Sequence, residues 1–268
     1  MDLDGKRIVV TGASSGVGRA LLDELSRRRV LVVAVGRDEA RLAEAVAAAA
    51  GAQAQVLPFR CDVAVQEEVD ALFAYAVQQM GGIDLFFANA GFAYWERIGE
   101  PDWPGTEALF RTNVFSPIYA VEKMAALFPG EAWRVVITSS ILGRVGLEGY
   151  GRYSATKAAL DRFAEVYRLE NRGRGRLVMV YPLAVRSRFF RAAGSAPLPL
   201  LSQSPQAAAR GIVRGMEQGR QTIYTSWILP PMLLIDRLLP FARRWYQAFD
   251  AWYARRQRRR GVVGGGGW

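Results

Sequence analysis

The feature that most restricts this chain is a strand-like run passing straight into a glycine-spaced turn and then into a helical pattern. Residues 6–11 (KRIVVT) are short and β-branched. Thr11-Gly12-Ala13-Ser14-Ser15-Gly16-Val17-Gly18 completes the turn, and Val17, Leu21, Leu22 and Leu25 recur at helical spacing over 16–29. The rhythm repeats, with strand-like runs at 30–35, 54–59, 83–88, 133–139 and 176–181. Between them lie helical stretches at 38–50, 65–80, 105–128 and 152–171, the first with Asp38 placed as its N-cap. Apolar strands joined by helices imply a parallel sheet covered on both faces, because right-handed crossovers return each helix to one face or the other. The expected fold class is α/β, a doubly wound, Rossmann-like parallel sheet forming a single domain over 1–225. A C-terminal amphipathic helical extension, apolar and basic, is expected over 226–260 and a flexible, glycine-rich tail over 261–268.

Composition closes off other chemistries. The 268 residues contain no histidine, which excludes a Ser-His-Asp hydrolase and an imidazole general base, and no metal site is expected. The lone Cys61 excludes a disulfide framework. The first residues lack the layout of a signal peptide, so a reducing, cytoplasmic location is expected, with the inner face of a membrane as the alternative. The net charge of +10 is local: residues 237–260 hold eight arginines against Asp250, a net +7, which leaves +3 elsewhere. Nucleic-acid binding is therefore not expected of the main body.

Glycine lets the backbone turn tightly and approach a pyrophosphate, while the following helix aims its N-terminal N–H groups at that anion. The turn at 11–18 accordingly predicts a bound dinucleotide. An NAD site usually has an acid at the end of the second strand; here Gly36 is followed by Arg37, suited to a 2′-phosphate, so NADP(H) is favoured. Only three lysines exist, and Lys157 lies four residues after Tyr153 on a helical stretch. That spacing puts amine and phenol on one face, and the ammonium is expected to favour phenolate.

Further residues accompany this pair in order: Asn89-Ala90-Gly91 after the fourth strand, Asn113 in the next helix, and Ser140 at the end of the fifth strand. Together with TGASSGVG, Asp62-Val63 and YSATK, this set resembles the short-chain dehydrogenase/reductase family from about residue 6 to 187. The resemblance implies that Tyr153 exchanges a proton with a substrate carbonyl or alcohol, that Lys157 lowers the phenol's pKa and holds the nicotinamide ribose, and that Ser140 holds the reacting oxygen. Asn113 would support a proton-relaying water. Gly12, Ser14, Ser15, Gly16, Val17 and Gly18 would surround the phosphates and ribose, with Arg37 at the 2′ position. Asp62 and Val63 would meet the adenine, Asn89-Ala90-Gly91 the adjacent ribose, and Pro182, Val185 and Ser187 the nicotinamide side, together with Tyr153 and Lys157. Three positions depart from the family pattern: Ala88 for a first Asn, Leu183 for the usual Gly, and Ser187 for Thr. Leu183 is expected either to narrow the pocket or to change the backbone turn.

Beyond Ser187 the sequence suggests a mobile lid over 189–201, then a helix over 205–219 and a last strand over 222–225. Residues 227–253 are rich in Trp, Leu, Phe and Tyr, but Pro230, Pro231, Asp236, Arg237 and Pro240 interrupt any membrane-spanning run. Two uses remain open for this segment with its arginines: peripheral contact with an anionic membrane through 227–260, or packing on the substrate pocket or another subunit. The expected function is an NADP(H)-dependent oxidoreductase interconverting a lipophilic ketone or aldehyde and its alcohol, as a homo-oligomer. A noncatalytic NADP(H)-binding regulatory or scaffold protein is the rival.

Overall fold

Each strand of the central sheet sends alternate side chains to opposite faces, and this alternation builds two cores. Val9, Val33, Val35 and Phe86 enter one; Ile8, Val10, Val32, Ala34, Leu85 and Phe87 enter the other. The computed structural model describes residues 1–49, 53–96, 98–171, 173, 175–187, 189, 201–239, 245, 247–249, 251–253 and 256. In chain order the elements are β1 (Arg7–Thr11), α1 (Gly16–Leu25), β2 (Leu31–Gly36), α2 (Glu39–Ala49), β3 (Gln55–Arg60), α3 (Gln66–Met80) and β4 (Leu85–Ala88). They continue with α4 (Trp103–Phe110), α5 (Ser116–Leu127), β5 (Arg134–Thr138), α6 (Gly151–Glu170), β6 (Arg176–Tyr181), β7 (Ala184–Val185) and β8 (Ser202–Gln203). Last come α7 (Pro205–Glu217), β9 (Thr222–Tyr224) and α8 (Leu229–Leu238).

Seven strands pair in parallel in the order β3-β2-β1-β4-β5-β6-β9, and β7 and β8 form a separate small ribbon. This is the expected doubly wound, Rossmann-like fold. The chain steps outward from β1 to β2 and β3, then returns to place β4 on the other side of β1. That reversal opens a crevice above the C-terminal ends of β1 and β4.

Local chemistry sets the boundaries. Asp38 accepts from Arg41 N at 3.0 Å ahead of α2, and Ser204 accepts from Ala207 N at 3.2 Å ahead of α7, with Pro205 in the first turn. The single helix expected over 105–128 is corrected to α4, a π turn at Arg111–Phe115, and α5. Pro117 has no N–H for a bond to residue 113, and its ring would press on that carbonyl, so a widened turn precedes it. Asn113 lies inside this turn.

The C-terminal extension begins with α8, and Trp245, 247–249, 251–253 and Arg256 are helical. Among the described residues no helix is long and apolar enough to cross a membrane. Most of the suggested lid (190–200), most of the arginine cluster and the glycine tail lie outside the described residues.

Candidate active site

The crevice is a cavity of about 590 Å³, well within the range of small-molecule sites. At its floor is the glycine turn. Gly12 and Gly16 hold φ of +69° and +55°, and a Cβ on Gly12 would come within 3.0 Å of the Ala90 Cα, so both the conformation and the close approach call for glycine. Ser15 stands at the N-cap of α1 in extended conformation without capping the helix through its side chain. The first turn therefore offers free N–H groups to the cavity that Ser15, Gly16 and Val17 line. These features fit a pyrophosphate. Gly18 corrects one expectation: it does not line the cavity. A Cβ there would collide with the Gly12 carbonyl oxygen, so its lack of a side chain serves the packing of α1 against the turn.

The loop after β4 is tied to both neighbouring strands. Thr11 Oγ1 donates to Phe87 O at 3.1 Å and accepts from the amides of Asn89 and Ala90, each at 3.0 Å. The Asn89 side chain donates to Thr11 O at 3.2 Å and accepts from Thr138 Oγ1 at 3.2 Å. Asn89, Ala90 and Gly91 are thus fixed along the cavity wall. Asn113 stands behind that wall. Fully buried, it accepts from Phe92 N at 3.1 Å and donates to Phe92 O at 2.8 Å and to Thr156 Oγ1 at 3.3 Å. Its side chain locks the loop to α6 and is not among the groups that line the cavity.

Tyr153, Lys157 and Ser140 meet at the cavity, the first two buried on α6 and the third heading a 3₁₀ turn at Ile141–Gly143. Ser140 Oγ accepts from Leu142 N at 3.2 Å, which fixes its side chain. Lys157 Nζ donates to Thr138 O at 2.8 Å and lies 5.5 Å from the centre of the Tyr153 ring. The electrostatic expectation is corrected. Burial pushes the Tyr153 phenol above its ordinary pKa, with the Ser140 hydroxyl opposing the rise, and burial lowers the Lys157 amine to about 8, with Asp161 opposing the fall. In the protein alone, desolvation of the phenol outweighs the help the Ser140 hydroxyl gives it.

Beneath these groups lies a network that sequence spacing did not reveal. Asp161, one turn beyond Lys157, accepts from Ser139 Oγ at 2.9 Å, Tyr181 OH at 2.9 Å and Arg144 Nε at 3.1 Å. Arg144 also donates to Tyr181 OH at 2.8 Å and Tyr224 OH at 3.1 Å. Burial alone would lower the Arg144 pKa, but Tyr181, Asp161 and Tyr224 together hold it above its ordinary value. The network joins the ends of β5, β6 and β9 to α6 and pins the turn carrying Ser140. The i,i+4 spacings of 140 with 144 and of 157 with 161 were visible, but their partners come from distant strands.

At the outer end of β2, Arg37 Nη1 lies 3.7 Å from Asp62 Oδ2, and Arg41 Nε donates to Asp38 Oδ2 at 2.6 Å. All four line the cavity with Val63, so Arg41 is a second arginine beside Arg37 that sequence reading missed. On the far side Pro182, Leu183, Val185 and Ser187 complete the wall. Leu183 forces no unusual turn, since among the described residues no non-glycine has positive φ. Its amide donates to Thr225 Oγ1 at 3.2 Å, and the residue lines the cavity. Most of the remaining wall is apolar, with Thr112, Thr138 and Ser139 as polar exceptions: Phe92, Leu142, Leu147 and Tyr150, with Phe189 and Leu201 from the two ends of the suggested lid and Leu229, Met232, Phe249 and Tyr253 from the C-terminal extension.

Comparison with known proteins agrees with this geometry. The family model described as short chain dehydrogenase matches residues 6–196. An uncharacterized oxidoreductase of Myxococcus xanthus is 36% identical over 226 residues, covering 80% of this chain and 86% of the relative. A short-chain dehydrogenase/reductase from Burkholderia phymatum, solved in complex with NAD, superposes with a TM-score of 0.77 at 26% identity, covering 89% of this chain and 94% of that one. A short-chain dehydrogenase from Sphingobium yanoikuyae, in complex with NADPH, shares the fold with a TM-score of 0.76 at 21% identity, covering 90% and 94%. Motif order, sheet topology and the composition of the cavity thus converge with the family match, and the chain belongs to the short-chain dehydrogenase/reductase family of oxidoreductases.

Proposed function

We propose that this protein is an NADP(H)-dependent oxidoreductase that interconverts an apolar ketone or aldehyde and its alcohol. The observation that carries the reading is that one cavity contains both the uncapped start of α1 and the Tyr153, Ser140 and Lys157 side chains. The α1 amides and the glycine turn would receive the phosphates, and Asn89 to Gly91 the ribose beside them. Asp62 and Val63 would receive the adenine, and Pro182, Val185 and Ser187 the nicotinamide side. A bound nicotinamide supplies or accepts the hydride.

In carbonyl reduction, Ser140 donates a hydrogen bond to the reacting oxygen and holds it beside the phenol. Tyr153 Oη delivers the proton to that oxygen, and in the reverse direction receives one. Lys157, fixed by Thr138 O, places positive charge under the phenol as the proton leaves. Asp161 and Arg144 hold the serine turn and α6 in register for this exchange.

NADP(H) is favoured over NAD(H) because Arg37 and Arg41 both border the ribose end of the cavity and the acids beside them are already paired with these arginines. An apolar substrate is favoured by the aliphatic and aromatic wall around Tyr153. Copies of the chain would associate through Phe115, Val166 and Leu169, large apolar side chains exposed on the π turn and adjoining α6.

The test is NADPH oxidation with a panel of lipophilic carbonyls by the natural protein and by Tyr153→Phe. The proposal requires turnover by the first and its near loss in the second, with cofactor binding kept. Equal rates would defeat the assigned role of the phenol, and tight cofactor binding with no turnover by either would favour the noncatalytic rival.

A further inference from the structure

We propose that α8 and the aromatic helical segment after it form a docking surface for an anionic phospholipid bilayer, and that this surface adjoins the substrate cavity. The inference rests on the reading of the cavity as a site for lipophilic substrate and adds where that substrate comes from.

The two faces of α8 do different things. Leu229 is fully buried and Met232 lines the cavity. Leu234, Ile235 and Leu238, at spacings of one and four residues, share the opposite side and are exposed, Leu238 to 67%. Trp227, 84% exposed, stands just ahead of the helix, and Trp245, 77% exposed, follows it. Farther on, Phe249 and Tyr253 line the cavity while Trp252 faces solvent, and Gln247 Nε2 donates to Gly146 O at 2.7 Å, tying the segment to the loop at the cavity mouth. Large apolar groups are thus shown to water by the same stretch that walls the pocket.

Charge decides the occupant. Residues 237–260 carry a net +7, and among the described residues Arg256 is exposed and lies 5.2 Å over the Trp252 ring, which puts positive charge on the patch itself. Apposing two copies through this face would bring two such segments together, which disfavours a dimer here. Leucine, tryptophan and arginine on a short helix that cannot cross a bilayer match the chemistry of an element lying in the plane of an anionic leaflet. A lipophilic carbonyl dissolved in that leaflet would then reach Tyr153 past Met232 and Phe249 without crossing water.

Cosedimentation of the full chain with phosphatidylcholine vesicles, without and with phosphatidylglycerol, tests this independently of turnover. Partitioning onto the anionic vesicles should be at least about tenfold stronger, and added salt should weaken it. The double variant Leu234→Asp/Leu238→Asp should lose about tenfold or more of that binding. It should still reduce a small water-soluble aldehyde at the natural rate, but reduce a long-chain carbonyl carried in vesicles more slowly. Arg256→Glu, an exposed change, should weaken binding in the same direction. Equal partitioning on neutral and anionic vesicles, or none, overturns the proposal. So does a dimer, seen by sedimentation velocity, that the double variant dissociates without changing vesicle binding. Loss of all turnover with intact vesicle binding would instead overturn the assigned oxidoreductase reaction and leave the docking surface standing.

Discussion

Replacing Asn113 by alanine should cost this protein about 2–5 kcal/mol of stability, a figure that follows from where its three hydrogen bonds go. The side chain is fully buried and satisfies both the amide and the carbonyl of Phe92. Removing it orphans both groups, at about 1–3 kcal/mol each, less whatever a water entering the gap restores. Thr156 Oγ1 would lose less, since it keeps its own donation to Tyr153 O at 2.7 Å. Thr156→Val, which leaves a single Asn113 N–H without its acceptor, should cost about 1–3 kcal/mol. Urea unfolding of the three proteins measures these differences, provided the slope with denaturant stays constant. Because the released loop also carries Asn89, Asn113→Ala should bind cofactor more weakly at temperatures where it remains folded. A loss below about 1 kcal/mol at unchanged slope would refute the reasoning, because the two Phe92 groups would then have found equivalent partners without the amide.

Other outcomes follow from the same geometry. Lys157 has a folded-state pKa near 8, below its ordinary value, so the folded protein binds fewer protons than the unfolded chain between about pH 8 and 10.5. Without cofactor, its contribution to stability should rise with pH across that window, and Lys157→Met should remove the rise; equal slopes for both proteins would contradict the assignment. Arg37→Ser/Arg41→Ser should raise the KM for NADPH by about tenfold or more and leave that for NADH nearly unchanged, and a parallel loss for both cofactors would speak against a 2′-phosphate site. Gly18→Ala forces a Cβ into the Gly12 carbonyl and should cost about 1–3 kcal/mol while distorting the phosphate turn, measurable as lost thermal stability together with weaker cofactor binding.

The division of labour between sequence and tertiary structure is physical. Strand and helix periods, the positive-φ glycines of the first turn and the cap at Asp38 are local, so the doubly wound fold and the phosphate turn were legible from the chain. The Tyr153–Lys157 pairing was legible too, because four residues make one helical turn. Other features depend on groups far apart in sequence. Asn113 proved to be a clasp behind the wall, Gly18 a packing contact, and the helix expected over 105–128 was broken ahead of Pro117. The pKa directions of Tyr153 and Lys157 were set by burial, which no spacing reveals. The sequence by itself determined which chemical groups were at hand and the order of the elements. Only the fold decided which groups share the cavity, because β5, β6 and β9 must stand side by side before Asp161 can gather Ser139, Arg144 and Tyr181, and α8 must pack before one face can line a pocket and the other meet solvent.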